Sequence, residues 1–313
     1  MERLNPRPSA LPCVATIGSF DGVHRGHQFV MEQLVGLARQ RGLASRVFTF
    51  ANHPLQVLQP DVPPLLLTPT EEKVELLRQT GIDQITLLDF TPELAQMTAH
   101  DFMYTVLKEK WGVQVLMMGY DNHFGHDHKS MADYRKDGET LGIEVVGCQE
   151  CAADEGISST AIRQALLDGR VDKANTLLGY PYFLQGIVVA GFQNGRRLGY
   201  PTANLQVTPQ KLIPKNGVYL VKCSPMTPNE ETPGGKYACT WYGMLNIGTR
   251  PTLHNGQQRS IEVHLFGFDG DLYGQALRIQ LLQHLRGERE FHSLDELKAQ
   301  LEEDEKRCKQ LIL

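Results

Sequence analysis

Short apolar runs alternate with helical segments over the first 150 residues, and no other feature of the chain constrains its fold as strongly. Five of the runs have the length of buried strands. They lie at residues 13–17, 45–50, 85–88, 113–118 and 143–146. Strands separated by helices pair in parallel and place ligand sites beyond their carboxyl ends. The alternation therefore predicts a parallel sheet that is covered on both faces.

The helices between these strands have recognisable ends. Residues 70–73, Thr-Glu-Glu-Lys, begin one helix and Gly81 ends it. The spacing predicts one continuous helix over 91–111 and a further helix over 173–178.

The pattern of apolar runs in the sequence changes after residue 182. Short β-rich runs separated by turn residues follow, at 187–189, 218–221, 241–245, 261–265 and 276–279. Such spacing predicts a closed antiparallel barrel. We therefore expect an α/β domain at residues 1–182 and a barrel domain at residues 183–313. The barrel is expected to end in a helix that begins at a capping box, Ser293 to Glu296. Four of its residues lie on one face, namely Leu294, Leu297, Leu301 and Cys308.

The charge and cysteine content of the chain limit which partners and which cellular compartment are expected. Among 313 residues, 31 are Lys or Arg and 36 are Asp or Glu, which gives a formal net charge of −5 and argues against a nucleic-acid binder that relies on bulk charge. No apolar run has the length of a membrane span or of a signal-peptide core, which favours a cytoplasmic protein without a membrane partner. Cys148 and Cys151 form the single C-x-x-C pair and are expected to stay reduced.

A glycine-punctuated turn, residues 18–27 (GSFDGVHRGH), follows the first predicted strand and opens the first helix. The exposed N–H groups of a helix start favour a phosphate there. His24 and His27 add donors aimed at the same point. A capped and solvated helix start is the plainer interpretation of two such histidines, but the glycines and the preceding strand favour a phosphate site.

Two more strand ends carry polar residues that should lie at the same rim of the sheet, residues 52–54 and 119–128. The second segment holds three histidines and two aspartates, which suits a metal. Its residues follow no fixed helical spacing, and a solvated or phosphate-facing loop explains them equally well.

A serine-rich segment at residues 157–163 (ISSTAIR) begins another predicted helix. Ser158 or Ser159 would cap this helix, which runs to Leu167 and stops at Gly169. Hydroxyls, free N–H groups and Arg163 then share one turn, where they could hold phosphate oxygens. A plain helix cap is the alternative.

A second glycine-punctuated loop, residues 191–204 (GFQNGRRLGYPTAN), lies early in the predicted barrel. Its glycines and two arginines allow backbone and guanidinium contacts with phosphates. Thr202 and Asn204 offer neutral oxygens that suit a Mg²⁺ ion retaining much of its water. A simple barrel turn would explain the glycines alone.

These motifs resemble those of two enzyme families. Residues 24–27 resemble the His-x-Gly-His signature of the nucleotidylyltransferase superfamily, and residues 18–23 are similar to the corresponding stretch of bacterial FAD synthetases. Residues 158–163 resemble the Ser-Ser-Thr-x-x-Arg motif of the same family. The riboflavin kinase signature is resembled by residues 199–204 (GYPTAN), and further matches lie at 214–219, 246–252 and 262–266. The chain departs from the first family at Asn122, His123 and His128, where an aromatic residue and arginines are common.

The resemblance implies a Rossmann-like nucleotidylyltransferase domain followed by a riboflavin kinase barrel. In the first domain it implies that His24 and His27 stabilise charge on the phosphates of ATP during catalysis. The residues implied to bind ATP or phosphate there are Gly18, Phe20, Asp21, Gly22, His24, His27, Asp121, Ser158, Ser159, Thr160 and Arg163. In the barrel it implies that Glu262 is the catalytic base for the ribityl 5′-hydroxyl. The residues implied to bind ATP and flavin there are Gly191, Gly195, Arg196, Gly199, Pro201, Thr202 and Asn204, with Thr202 and Asn204 on Mg²⁺.

The implied activity is therefore bifunctional. Riboflavin and ATP would give FMN, and FMN and a second ATP would give FAD and pyrophosphate. The implied partners are the small molecules riboflavin, FMN and ATP, and Mg²⁺ is the implied cofactor. Two alternatives remain open, namely a chain that retains one of the two activities and a catalytically inactive flavin-binding sensor.

Overall fold

We describe a computed structural model of the chain, which covers residues 11–61, 64–119, 124–127, 129–149, 156–191, 198–226, 240–250 and 258–312. The chain divides into two compact units, Met1–Ser159 and Thr160–Leu313. None of the described helices is both long enough and apolar enough to cross a membrane.

The first unit is built on a five-stranded parallel sheet, as the sequence predicts. Its strands are β1 (Cys13–Ile17), β2 (Ala44–Phe50), β3 (Gln84–Leu88), β4 (Val113–Met118) and β5 (Glu144–Gly147). Their order across the sheet is β3-β2-β1-β4-β5, and every neighbouring pair is parallel. Every residue of the central strand β1 is buried, because helices cover both faces of a sheet of this kind.

The helices of this unit are α1 (Arg25–Arg41), α2 (Pro54–Leu58), α3 (Thr70–Gln79), α4 (Pro92–Gln96), α5 (Ala99–Phe102) and α6 (Met131–Leu141). The continuous helix predicted over 91–111 is wrong. The chain is extended at Met97, and Thr98 then accepts a hydrogen bond from the Asp101 N–H to cap α5. A π-helix, Met103–Lys110, continues directly from α5.

The second unit begins with a pair of helices and continues into a closed barrel, and the predicted antiparallel barrel is confirmed. The helices are α7 (Ser159–Leu167), whose first residue is the last of the first unit, and α8 (Val171–Leu178). The barrel strands are β6 (Phe183–Val189), β7 (Ala203–Val207), β8 (Gly217–Pro225), β9 (Trp241–Arg250), β10 (Gln258–Leu265) and β11 (Ala276–Arg286). They close in the order β10-β7-β6-β11-β8-β9 with antiparallel neighbours.

The terminal helix α9 (Leu294–Ile312) packs on the barrel through Leu301, Cys308 and Ile312. Its predicted start is confirmed, since the Ser293 hydroxyl accepts from the Glu296 N–H at 3.1 Å. At the start of the predicted face, Leu294 lies in the first turn of the helix and is 69% exposed.

The compact units divide the chain at residues 159 and 160, so that α7 and α8 group with the barrel. The Asn175 amide, for example, joins α8 to β11 through the Leu281 carbonyl. The functional boundary at residue 182 stays a prediction.

Candidate active sites

The turn between β1 and α1 has an unusual backbone. Phe20 and Val23 adopt φ values of 48° and 37°, and Gly22 has a φ of 85°. Positive φ is unfavourable for residues with a side chain, and especially for a β-branched one such as Val23. Both side chains are buried, and the Val23 carbonyl accepts from the Gln28 amide. Strain held in place by packing is common at functional sites.

The two histidines of the turn lie against each other. The imidazole rings of His24 and His27 stack with centroids 3.6 Å apart and planes inclined by 18°. His24 is also the N-cap of α1, because its Nδ1 accepts from the His27 N–H at 3.4 Å. The plainer interpretation, that His24 caps the helix, is thus confirmed. Because Nδ1 acts as an acceptor, a neutral His24 carries its proton on Nε2.

His27 is held in its neutral form. Burial lowers the pKa of its imidazole well below the ordinary value of 6.5, and the nearby His24 and Lys73 lower that pKa further. Its Nδ1 is buried and has no hydrogen-bond partner among the described residues. A neutral imidazole presents one N–H donor and one acceptor, so His27 can bind an oxygen without bringing a buried charge.

Asp21 organises the turn from within. Its buried carboxylate accepts from the Leu67 N–H at 3.1 Å and from the Thr68 N–H at 2.9 Å. The Thr68 hydroxyl in turn accepts from the Gly22 N–H at 2.8 Å. The Ser159 hydroxyl donates to the Asp21 carbonyl at 2.8 Å. The structure therefore brings Ser159 of the second motif onto the first motif, as the sequence predicts for a shared site.

The remaining predicted residues of this site lie at or near the start of α7 or in the loop at residues 119–128. Thr160 and Arg163 lie in α7 within the second unit, and Ser158 directly precedes α7. Asp121, Asn122, His123, His128 and Cys151 lie outside the described residues. In the described part of the 119–128 loop, Asp127 accepts from the Ala99 N–H, and no group of three or more His, Cys, Asp or Glu in the parts of the chain that the structure covers could hold a metal.

Lys73 belongs to this site, although nothing in the sequence singles it out. It lies on α3 with only 7% of its surface exposed. Its ammonium donates to the Ser19 carbonyl at 3.1 Å and to the Phe50 carbonyl at 2.9 Å, at the carboxyl ends of β1 and β2. Burial lowers the pKa of Lys73 from 10.5 to about 8.

The second site lies on the barrel wall. Glu262 on β10 stands directly opposite Asn204 on β7 and Asn246 on β9, and residues opposite each other in antiparallel strands share one face. The neighbours of Glu262 along β10, Ile261 and Val263, are buried in the core. Glu262, Asn204 and Asn246 therefore form a polar strip on the other face. We call these three residues the polar strip.

Thr202 and Gly191 lie next to the polar strip. The Thr202 hydroxyl donates to Glu262 Oε2 at 3.5 Å, a long contact. A Cβ atom on Gly191 would come within 2.1 Å of Asn204 Nδ2, so the loop backbone approaches the strip closely only because residue 191 is glycine. Gly199 ends the loop with a φ of 82°. Gly195 and Arg196 lie outside the described residues.

A cavity of about 370 Å³ opens beside Thr202. Its wall combines apolar side chains such as Val188, Leu265 and Phe268 with the carboxylates of Asp269 and Asp271. Its lining also includes Val263, which is on the opposite face of β10 from Glu262. Thr202 thus stands between the cavity and the polar strip.

The terminal helix fixes the loop that carries Thr202. The Tyr200 hydroxyl donates to Glu305 Oε2 on α9 at 3.0 Å, and burial together with Glu305 raises the pKa of Tyr200 to about 12. His264 packs against Tyr200 with its ring centroid 5.1 Å away. The His264 Nδ1 lies 2.8 Å from the Pro201 carbonyl, which can only accept, so Nδ1 carries the proton in this contact.

The parallel sheet with its histidine turn and the barrel with its polar strip define a two-domain transferase that uses nucleotides. A family model described as FAD synthetase matches residues 7–161, and one described as riboflavin kinase matches residues 178–312. The chain belongs to the family of bifunctional riboflavin kinase/FMN adenylyltransferases, as its relatives show.

Two curated relatives carry that name. The protein of Escherichia coli K12 is 38% identical over 297 residues, which cover 94% of this chain and 90% of the relative. The protein of Bacillus subtilis is 36% identical over 301 residues, which cover 93% and 90%. A crystal structure of a Streptococcus pneumoniae protein described as a macrolide-efflux protein is 33% identical, with a TM-score of 0.84 and coverage of 97% of this chain and 95% of that one. The likeness to the Streptococcus pneumoniae protein is therefore one of fold, and the family membership rests on the curated relatives and the family models.

Proposed function

We propose that the two reactions of this flavin-synthesising enzyme are divided between its domains. The barrel domain, residues 183–313, phosphorylates riboflavin to FMN, and the domain at residues 1–182 adenylylates FMN to FAD. The observation that carries this division is the presence of two polar constellations, one in each unit. The histidine pair with Ser159 belongs to the sheet unit, and Thr202 with the polar strip belongs to the barrel.

In the adenylyltransferase site, a phosphate oxygen of FMN attacks the α-phosphorus of ATP. The new phosphorus–oxygen bond forms as the bond to pyrophosphate breaks, and no group on the protein becomes covalently attached. Negative charge grows on the phosphates in the transition state. His24 and His27 lie at the N-terminus of α1, where backbone N–H groups and imidazole N–H donors act together on that charge.

Asp21 acts as a positioning residue in this proposal. Its carboxylate is occupied by the N–H groups of Leu67 and Thr68, and its carbonyl receives the Ser159 hydroxyl. These contacts hold the strained turn in the geometry that directs the imidazoles. Ser158, Thr160 and Arg163 supply further phosphate contacts, since a helix start with hydroxyls and a guanidinium is suited to bind phosphate oxygens.

In the kinase site, the ribityl 5′-hydroxyl of riboflavin attacks the γ-phosphorus of ATP. Glu262 accepts the hydroxyl proton as the new bond forms, and ADP leaves. The neighbours of Glu262 support this role, because Asn204 and Asn246 are neutral and Thr202 donates to the carboxylate. Asp269 and Asp271 are the nearest alternative bases, and they line the adjoining cavity.

Thr202 and Asn204 fit the Mg²⁺ ion that ATP-dependent phosphoryl transfer uses. Mg²⁺ favours neutral and anionic oxygens together with water and substrate phosphates, and Thr202 places its hydroxyl oxygen beside a carboxylate. When bound, the ion neutralises charge that develops on the transferred phosphoryl group. The cavity beside Thr202 is about 370 Å³ in volume, which gives room for the base of ATP, and Val188, Leu265 and Phe268 offer apolar contacts to it. The use of ATP as co-substrate supports a cytoplasmic location.

The test is a time course of the purified chain with riboflavin, ATP and Mg²⁺, in which the flavins are separated by chromatography. We expect FMN to appear first and FAD to follow, and both to stop when EDTA removes the metal. FMN without FAD would contradict the bifunctional proposal and support a single retained activity. Unchanged riboflavin, with tight flavin binding, would support the inactive sensor.

A further inference from the structure

The ammonium of Lys73 is a buried cation whose hydrogen bonds are incomplete. It has three N–H donors, and two of them are used by the Ser19 and Phe50 carbonyls. No described carboxylate lies within ion-pair distance of it. The carboxylate of Asp21 acts on Lys73 from farther away, while its oxygens accept from Leu67 and Thr68. One N–H of a buried ammonium therefore has no acceptor among the described residues.

Lys73 lines a small pocket at the carboxyl ends of β1 and β2. Besides Lys73, the lining residues that matter here are Ser19, His53, Thr68 and Thr70. The carboxyl end of a parallel sheet is where substrates of such folds bind. Lys73 also lies close enough to His27 to lower the pKa of that imidazole, so it acts on the histidine pair directly.

Burying an ammonium without a carboxylate partner is costly, and the folded chain keeps one nonetheless. An apolar residue would fill the same place on α3 without that cost. The two carbonyls fix the ammonium at the strand ends, and Lys73 is one of the residues that line the pocket there. An anion that enters the pocket would satisfy the third N–H and the charge together.

We propose that Lys73 binds a phosphate group of a substrate in the adenylyltransferase site and so is a further binding residue of that reaction. This inference rests on the proposed function of the first domain. Either substrate, FMN or ATP, could supply the phosphate, and the two differ in which kinetic constant would respond. A charge-assisted hydrogen bond to a phosphate contributes enough for its loss to lower kcat/KM by roughly 10- to 100-fold.

The experiment compares FAD formation from FMN and ATP in the wild type, Lys73→Met and Lys73→Arg. Each substrate is varied in turn, and riboflavin phosphorylation by the same samples serves as the internal control. We expect Lys73→Met to lower kcat/KM for one of the two substrates by roughly 10- to 100-fold and to leave riboflavin phosphorylation unchanged. A loss in FMN kcat/KM alone assigns the FMN phosphate, and a loss in ATP kcat/KM alone assigns an ATP phosphate. Lys73→Arg, which keeps the charge, should recover part of the loss.

Lys108→Met is a matched control in the same unit. Lys108 also donates to a backbone carbonyl, that of Leu141, but Leu141 ends α6 just before β5 begins. Lys108 therefore lies at the amino-terminal edge of the sheet, away from the histidine pair. We expect Lys108→Met to leave both activities unchanged.

The pH dependence of FAD formation separates binding from a purely structural role. The titratable groups that face Lys73 are Asp21, His27 and His53, and the ordinary pKa values of Asp and His lie below 7. In the wild type, kcat/KM for the responding substrate should fall above about pH 8, where Lys73 loses its proton. Lys73→Met should lack this decline.

Wild-type kcat/KM values for both substrates in Lys73→Met would overturn the proposal. If Lys73→Met does not fold, the wild-type profile decides, and a flat profile between pH 7 and pH 9.5 would overturn it too. A wild type that makes no FAD at all would instead contradict the proposed function, so the two failures are distinguishable.

Discussion

The buried ammonium of Lys73 should make the stability of the first domain depend on pH in a way that Lys73→Met abolishes. The pKa of Lys73 is about 8 in the folded chain, against an ordinary value of 10.5. Since one pKa unit corresponds to about 1.4 kcal/mol, keeping the folded lysine protonated costs about 3 kcal/mol. Below pH 8 both the folded and unfolded chains are protonated, and the domain bears this cost in full.

Between pH 8 and pH 10.5 the unfolded chain still binds the proton and the folded chain does not. The free energy of unfolding therefore rises with pH across this window. From pH 7 to pH 9.5 the contribution of Lys73 should rise by about 2 kcal/mol. Lys73→Met also removes two hydrogen bonds to carbonyls, which offsets part of its advantage at pH 7 by about 1 kcal/mol each. That offset shifts the free energy of unfolding of Lys73→Met by the same amount at every pH, so it does not change how the free energy depends on pH.

Urea unfolding at several pH values would measure this difference. The chain has two tryptophans, and Trp111 lies in the first unit, against the guanidinium of Arg46 at 4.5 Å. In a Trp241→Phe background, Trp111 fluorescence reports on that unit alone. The wild type should gain about 2 kcal/mol relative to Lys73→Met between pH 7 and pH 9.5. Parallel curves for the two proteins would refute the reasoning, because they would mean that Lys73 titrates alike in the folded and unfolded chains.

Three further predictions concern individual side chains. His27→Ala should lower FAD formation from FMN by roughly a hundredfold or more, since losing one donor to a developing charge costs about 3–4 kcal/mol, and it should leave riboflavin phosphorylation intact; a parallel loss of both activities in a folded variant would contradict the two-site account. Glu262→Gln should lower single-turnover FMN formation by roughly 10²- to 10⁴-fold while added FMN is still converted to FAD, and a near wild-type rate would remove Glu262 from the mechanism. Tyr200→Phe, which breaks the hydrogen bond to Glu305, should lower kinase kcat/KM by less than about tenfold without changing FAD formation, and an unchanged kinase would show that α9 does not position the loop.

The strands of the parallel sheet could be predicted more closely than those of the barrel, where β9 and β11 continue past the predicted ends at residues 245 and 279. Each strand of the sheet contains an apolar run bounded by polar residues. The predicted strand at 113–118 coincides with β4. The break in the predicted helix over 91–111 could not be predicted, since the apolar spacing continues through Met97. The backbone is extended at that residue, and Thr98 caps a new helix. Strand β7 was not predicted, because its first residues belong to the loop motif that ends at Asn204.

The histidine turn and the barrel loop were recognisable because each combines glycines with a chemically distinctive set of residues. Thr202 and Glu262 are 60 residues apart in sequence, and only the pairing of β7 with β10 explains their contact. Lys73 could not be found in this way. Residues 70–73, Thr-Glu-Glu-Lys, have the composition of an exposed first turn, and the burial of Lys73 arises from tertiary packing against the ends of β1 and β2.

The claim that one chain carries two separate active sites is tested most directly by mixing two inactivated variants. His27→Ala should make FMN from riboflavin but almost no FAD, and Glu262→Gln should make FAD only from added FMN. Incubated together with riboflavin, ATP and Mg²⁺, the two variants should produce FAD, because the FMN released by one is adenylylated by the other. A mixture that makes no more FAD than either variant alone, although Glu262→Gln converts added FMN, would contradict the account.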